Sequence, residues 1–109
     1  MSANLDLTVP YRAVAILKSK PGSENALLQF TLSVAPRIRA VSGLAKLEIN
    51  QAIDDPGRLV LNYWWVSPTH SEAYVAGALY AEIMPTLETL VLDHAVIFAR
   101  NIESKIGQQ

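Results

Sequence analysis

Cysteine is absent from the 109 residues. That excludes disulfides, thiolate metal sites, iron–sulfur clusters and a cysteine nucleophile, and it fits a reducing compartment. Charge is also scarce. Only 17% of residues are charged, the net charge is −1, and no basic run or basic–aromatic interleaving occurs. A nucleic-acid partner is therefore not expected. No apolar run approaches the roughly 20 residues needed to span a bilayer, so no membrane partner is expected either. The opening decapeptide, MSANLDLTVP, has neither a basic n-region nor an apolar h-region, and the expectation is a cytoplasmic chain without a signal peptide. A G-x-S-x-G elbow, a P-loop and a dinucleotide fingerprint are all missing. The two histidines, His70 and His94, have no acidic or histidine cluster with metal-ligand spacing, so neither a metal nor another cofactor is expected.

What is abundant is apolar surface. Half the residues are hydrophobic, a high share for a small chain with so few charges, and this implies burial against another chain. The length suits one domain, 1–109, with its core at about 11–102. Tyr11–Lys18 reads as a strand that ends in the Lys-Pro-Gly turn at 20–22. Leu27, Phe30, Val34, Ile38 and Val41 form one helical stripe. Ser23 is placed to cap this helix, Pro36 to kink it and Gly43 to end it. Leu44–Ala52 alternates strictly, with Ala45, Leu47 and Ile49 on one face and Lys46, Glu48 and Asn50 on the other. The turn Asp54–Gly57 joins it to a strand beginning at Arg58. Ser67-Pro68 reads as a helix cap followed by the preferred first-turn proline. That helix runs to about Gly77, and a second helical piece follows with an interruption near Pro85. Asp93–Ile102 is the final strand, and the tail ESKIGQQ reads as loosely held.

The order β-α-β-β-α-β predicts an α+β, ferredoxin-like fold: a four-stranded antiparallel sheet with its helices on one face. The segment Arg58–Ser67, RLVLNYWWVS, then raises a difficulty. Leu59, Leu61, Tyr63 and Trp65 point one way and Val60, Asn62, Trp64 and Val66 the other. Both faces are apolar, and helices can cover only one. The simplest cover for the other is a second copy of the chain, sheet against sheet, which makes a homodimer the expected assembly.

With these elements in place, the chain resembles the antibiotic biosynthesis monooxygenase (ABM) family of the dimeric α/β-barrel superfamily. The resemblance covers about residues 11–102. It rests on the first strand running into KPG, on VSGLAKLEI, on the DDPGRLVL hairpin, on Trp-x-Ser at Trp65–Ser67, and on ALYAEIMPTLETL in the following helix. It implies a barrel built from two sheets and a pocket in each subunit between sheet and helices. It also implies oxygenation of electron-rich aromatic, polyketide-like or quinol compounds by O2 without metal, flavin or haem. Anthrone-oxidising members carry an asparagine four residues before the tryptophan. Leu61 stands at that position, and Asn62 comes one residue later. Haem-degrading relatives place a histidine in the stretch that reads GALYAEIMPTLETL here, which has none.

The candidate catalytic residues are Asn62, His70 and Tyr74. Asn62 could orient a substrate carbonyl or bond across the dimer barrel. His70, in the first turn of the second helix, could act as a base, and Tyr74 lies one turn further on the same helix face. Tyr63 and Trp65 are candidate substrate-binding walls or plain core aromatics. Trp64 is the candidate dimer-interface anchor. His94 reads as an edge residue, and Arg100 as a surface cation that could hold an anionic group. The readings that remain are a cofactor-independent monooxygenase on a small aromatic molecule, a non-catalytic ligand-binding or structural homodimer, and an enolate-stabilising isomerase.

Overall fold

A computed structural model of the chain describes residues 11–103, 105 and 107. The opening decapeptide and positions 104, 106, 108 and 109 of the tail lie outside the described residues. The elements are β1 (Tyr11–Ser19), α1 (Glu24–Arg39), β2 (Leu44–Gln51), β3 (Arg58–Trp65), α2 (Pro68–Val75), α3 (Ala78–Leu90) and β4 (Val91–Arg100). The strands form one sheet in the order β2-β3-β1-β4, with every neighbouring pair antiparallel. This is the ferredoxin-like arrangement expected from the sequence, with the second helical region split into two helices.

The sheet's helix-side face carries the core. Ala13, Ala15 and Leu17 of β1 pair with Tyr63, Leu61 and Leu59 of β3, and Leu47 and Ile49 of β2 continue the layer. From α1 the buried residues are Leu27, Thr31, Ala35 and Ile38, while Phe30, Val34 and Val41 pack at its margin. The other sheet face shows Val14, Ile16, Val60, Asn62 and Trp64 in the centre and Ile97 on β4. The helices leave this face uncovered.

Several local expectations are corrected. The Ser23 side chain makes no capping bond; instead the Glu24 carboxylate accepts from the Gly22 N–H at 3.3 Å. The later helix is not interrupted near Pro85 but runs through it, as α1 runs through Pro36. Each proline frees the carbonyl four residues earlier. Those carbonyls belong to Leu32 and Ala81, which are exposed, so water can satisfy them. The final strand begins at Val91, directly after α3, because the Leu90 carbonyl accepts from the Lys20 N–H at 2.9 Å and fixes the helix end on the β1–α1 turn. Ser67 behaves as read: its hydroxyl accepts from the His70 N–H. Two contacts tie the helices down. Arg37 of α1 makes a bidentate pair with Glu82 of α3 at 2.6 and 2.8 Å, and Arg39 donates to the Leu47 carbonyl of β2. Among the described residues, no helix is long and apolar enough to cross a membrane.

Candidate functional site

A cavity of about 100 Å³ lies between the helix-side face of the sheet and the three helices. Its aromatic wall begins on β3. Residues 63 and 65 are two apart on one strand, so both side chains leave the same face. The rings of Tyr63 and Trp65 stack with centroids 6.1 Å apart and planes at 6°. Tyr74 of α2 closes over them, 6.1 Å from Tyr63 and 5.6 Å from Trp65. Tyr80 of α3 meets Tyr74 edge-on at 5.3 Å. Trp65 is only 1% exposed, so it forms the floor. On the β4 side the wall is open: Val96 and Phe98 line the cavity but are about half exposed.

The electrostatics of this space are those of neutral donors. Burial, reinforced by the neighbouring Tyr74 phenol, pushes the Tyr63 hydroxyl far above the ordinary phenol range. Burial raises Tyr74 as well. Both phenols therefore stay protonated through the neutral range and can donate hydrogen bonds. Among the described residues, the wall contains no Asp, Glu, Lys or Arg. His94 of β4 is the one imidazole among the described lining residues, and it is exposed at the open side. Among the described residues, no group of three His, Cys, Asp or Glu could hold a metal ion.

The sequence candidates divide between two faces. Tyr63, Trp65 and Tyr74 come together in the cavity. Asn62 lies on the opposite sheet face, where the Arg12 guanidinium donates to its side-chain carbonyl at 3.0 Å. No bulge shifts the β1–β3 register at this point. Trp64 shares that face, with Arg12 4.7 Å and Lys46 4.9 Å from its ring centroid. His70 does not line the cavity. Its ring packs on Gly43, and its Nδ1 lies 2.8 Å from the Ser67 hydroxyl. Tyr74, one turn later, reaches the cavity, whereas His70 meets the loop entering β2. Arg100 is at the far end of β4, outside the wall.

The sequence reading did not single out Thr31 or Tyr80, and it took His94 for an edge residue; β4 is an edge strand and His94 is exposed, yet it also lines the cavity. His94 alternates with Val96 and Phe98. Which β4 face turns inward is set by a register shift: Lys18 pairs with Asp93 but Ser19 with Val91, leaving Leu92 as the extra residue. Thr31 could have been found as a hydroxyl four residues from both Leu27 and Ala35, on the buried stripe of α1.

Comparison with solved structures identifies the architecture. A protein from Deinococcus radiodurans described as a candidate antibiotic biosynthesis monooxygenase superposes with a TM-score of 0.80 at 15% identity, over 91% of this chain and 99% of its own. The fold is that of the antibiotic biosynthesis monooxygenases. A similar candidate ABM protein from Nitrosomonas europaea gives 0.78 at 18% identity, over 85% and 99% of the two chains. A protein of unknown function from the same organism gives 0.77 at 21%, over 92% and 96%. No family model and no curated protein matches the chain in sequence. At these identities the likeness to ABM structures concerns the fold alone.

Proposed function

We propose that the protein is an ABM-type monooxygenase that oxidises a small aromatic or quinol-type compound with O2 and needs no metal, flavin or haem. The observation that carries this reading is the cavity itself: apolar, floored by stacked aromatics, and furnished with protonated phenols instead of charges. Such a wall suits a flat ring whose enolate or phenolate form must be stabilised away from water. Its volume is of the order that admits a single ring, since dry apolar cavities of about 150 Å³ bind benzene.

In this scheme His94 removes a proton from the substrate carbon, and the Tyr74 phenol, itself accepting from Tyr63, donates to the enolate oxygen. The enolate gives one electron to O2, and the resulting radical pair closes a carbon–oxygen bond to form a peroxide. Loss of the second proton from that carbon breaks the O–O bond. It leaves a carbonyl and a hydroxide that departs as water. The sum is a CH2 group plus O2 giving C=O plus water, with all the electrons drawn from the substrate. Of the sequence candidates, Tyr63, Trp65 and Tyr74 keep their parts, and His94 takes the place of His70 and Asn62. The same proposal includes a homodimer, supported by the uncovered apolar sheet face that carries Val14, Ile16, Val60 and Ile97.

The test joins binding to turnover. Single-ring arylacetones, whose CH2 is acidified by ring and carbonyl, should quench tryptophan fluorescence and drive oxygen uptake, and substituted hydroquinones should quench it by binding alone. His94→Gln should lower the uptake rate about 10²-fold and leave quenching nearly unchanged. Binding without oxygen consumption across the panel would favour a ligand-binding protein. The absence of any binding would remove the cavity as the site.

A further inference from the structure

Thr31 stands out among the hydroxyls of the helices. Ser33 donates to the Phe30 carbonyl at 2.7 Å, and Thr89 donates to the Thr86 carbonyl at 2.6 Å. This back-bonding is the usual fate of a helical Ser or Thr. Thr31 Oγ1 makes no such bond. Among the described residues it finds no hydrogen-bond partner; the residue is 4% exposed, and it lines the cavity. The rest of the α1 wall is Phe30, Val34 and Ile38. A valine would fill the same volume there without burying an unmatched polar group, so the hydroxyl calls for a partner that the described residues do not supply.

We propose that the Thr31 hydroxyl is the specificity anchor of the cavity: it hydrogen-bonds the oxygen of a bound neutral ring compound and so selects oxygenated rings over bare hydrocarbons. This rests on the cavity being the ligand site. The chemistry follows from the wall. A hydroxyl can accept from a phenol or donate to a carbonyl, and with no Asp, Glu, Lys or Arg among the described lining residues, a neutral ligand fits better than an ion. The oxygen it takes is held from α1, a different element from those that carry the Tyr63 and Tyr74 phenols.

The probes are p-cresol and toluene, which differ by one hydroxyl, with affinities read by calorimetry. Thr31→Val should reduce the preference for p-cresol over toluene about tenfold, mainly by weakening p-cresol. Thr31→Ser should keep the preference. Without ligand, Thr31→Val should melt at the same temperature as the parent protein or higher, because it removes an unsatisfied group. An unchanged preference in Thr31→Val would overturn the proposal. So would a clear drop in its ligand-free melting temperature, which would show that the hydroxyl has a partner inside the fold. If the parent protein binds neither probe, the cavity reading fails first and this proposal falls with it.

Discussion

The contact between Gly43 and His70 can be measured by a double-mutant cycle. Gly43 has φ +84°, and a Cβ placed on it would overlap the His70 ring. Gly43→Ala therefore carries two costs. A non-glycine residue in the left-handed region costs about 1–2 kcal/mol. Pushing the imidazole aside also breaks its bond to Ser67, worth about 0.5–1.5 kcal/mol, and disturbs the entry of α2. The expected total is about 3 kcal/mol, or a fall in Tm of roughly 12–24 °C for a domain this size. Against a usual stability of about 5–15 kcal/mol the variant should still fold. In a His70→Ala background the clash disappears, and Gly43→Ala should cost only about 1.5 kcal/mol, the backbone part. Urea denaturation followed by circular dichroism on all four proteins gives the coupling directly. If Gly43→Ala costs the same in both backgrounds, His70 is not packed as described. The cycle also bears on chemistry. A histidine held between Ser67 and Gly43 has a structural job, so His70→Ala should leave oxygen uptake per folded molecule unchanged.

For the homodimer, Trp64→Glu is a poor probe, because Arg12 and Lys46 flank the ring and would pair with the new carboxylate. Ile97→Asp is cleaner: Ile97 is 53% exposed in the single chain, so the protomer should stay folded while light scattering falls from two chains to one. A parent protein that scatters as one chain, or an Ile97→Asp variant that stays paired, would refute the assembly. A pH prediction follows from the cavity tyrosines. Their native pKa values lie above the unfolded value, so the tyrosine contribution to stability should be constant below about pH 10 and fall as the pH rises past it, where unfolded phenols ionise and buried ones do not. Absorbance at 295 nm and ellipticity should then change together for Tyr63 and Tyr74. Ionisation of every tyrosine near pH 10 with ellipticity intact would contradict their burial.

The fold was legible because its signals are local. Alternation in Leu44–Ala52, the Asp54–Gly57 turn and the Ser67-Pro68 cap each define an element without knowledge of the rest, and the face assignment of β3 followed from period two alone. The site was legible only where that period fixed it, at Tyr63 and Trp65, and by helix spacing at Tyr74. His70 could not be placed because its surroundings are set by Gly43, 27 residues away in sequence and adjacent only after folding. His94 depended on the extra residue at Leu92, a bulge that nothing in Asp93–Ile102 announces. Thr31 was overshadowed because the helical stripe was drawn through Phe30 and Val34, which are larger but less buried.

The direct passage from α3 into β4 bears on how this chain can vary in length. At most junctions a residue gained or lost is absorbed by a loop: the β2–β3 connection, where Ile53 stands fully exposed, could lengthen without moving the wall of the cavity. Between Leu90 and Val91 there is no slack. The helix end is pinned by Lys20, and the strand pairs from its first residue. One further residue there would turn β4 over, sending His94, Val96 and Phe98 to the open face and bringing Ala95, Ile97 and Ala99 under the helices. Such a change would remake the mouth of the cavity and the uncovered face at once. Homologous chains that keep this site should therefore differ freely in length between β2 and β3 and hardly at all between α3 and β4.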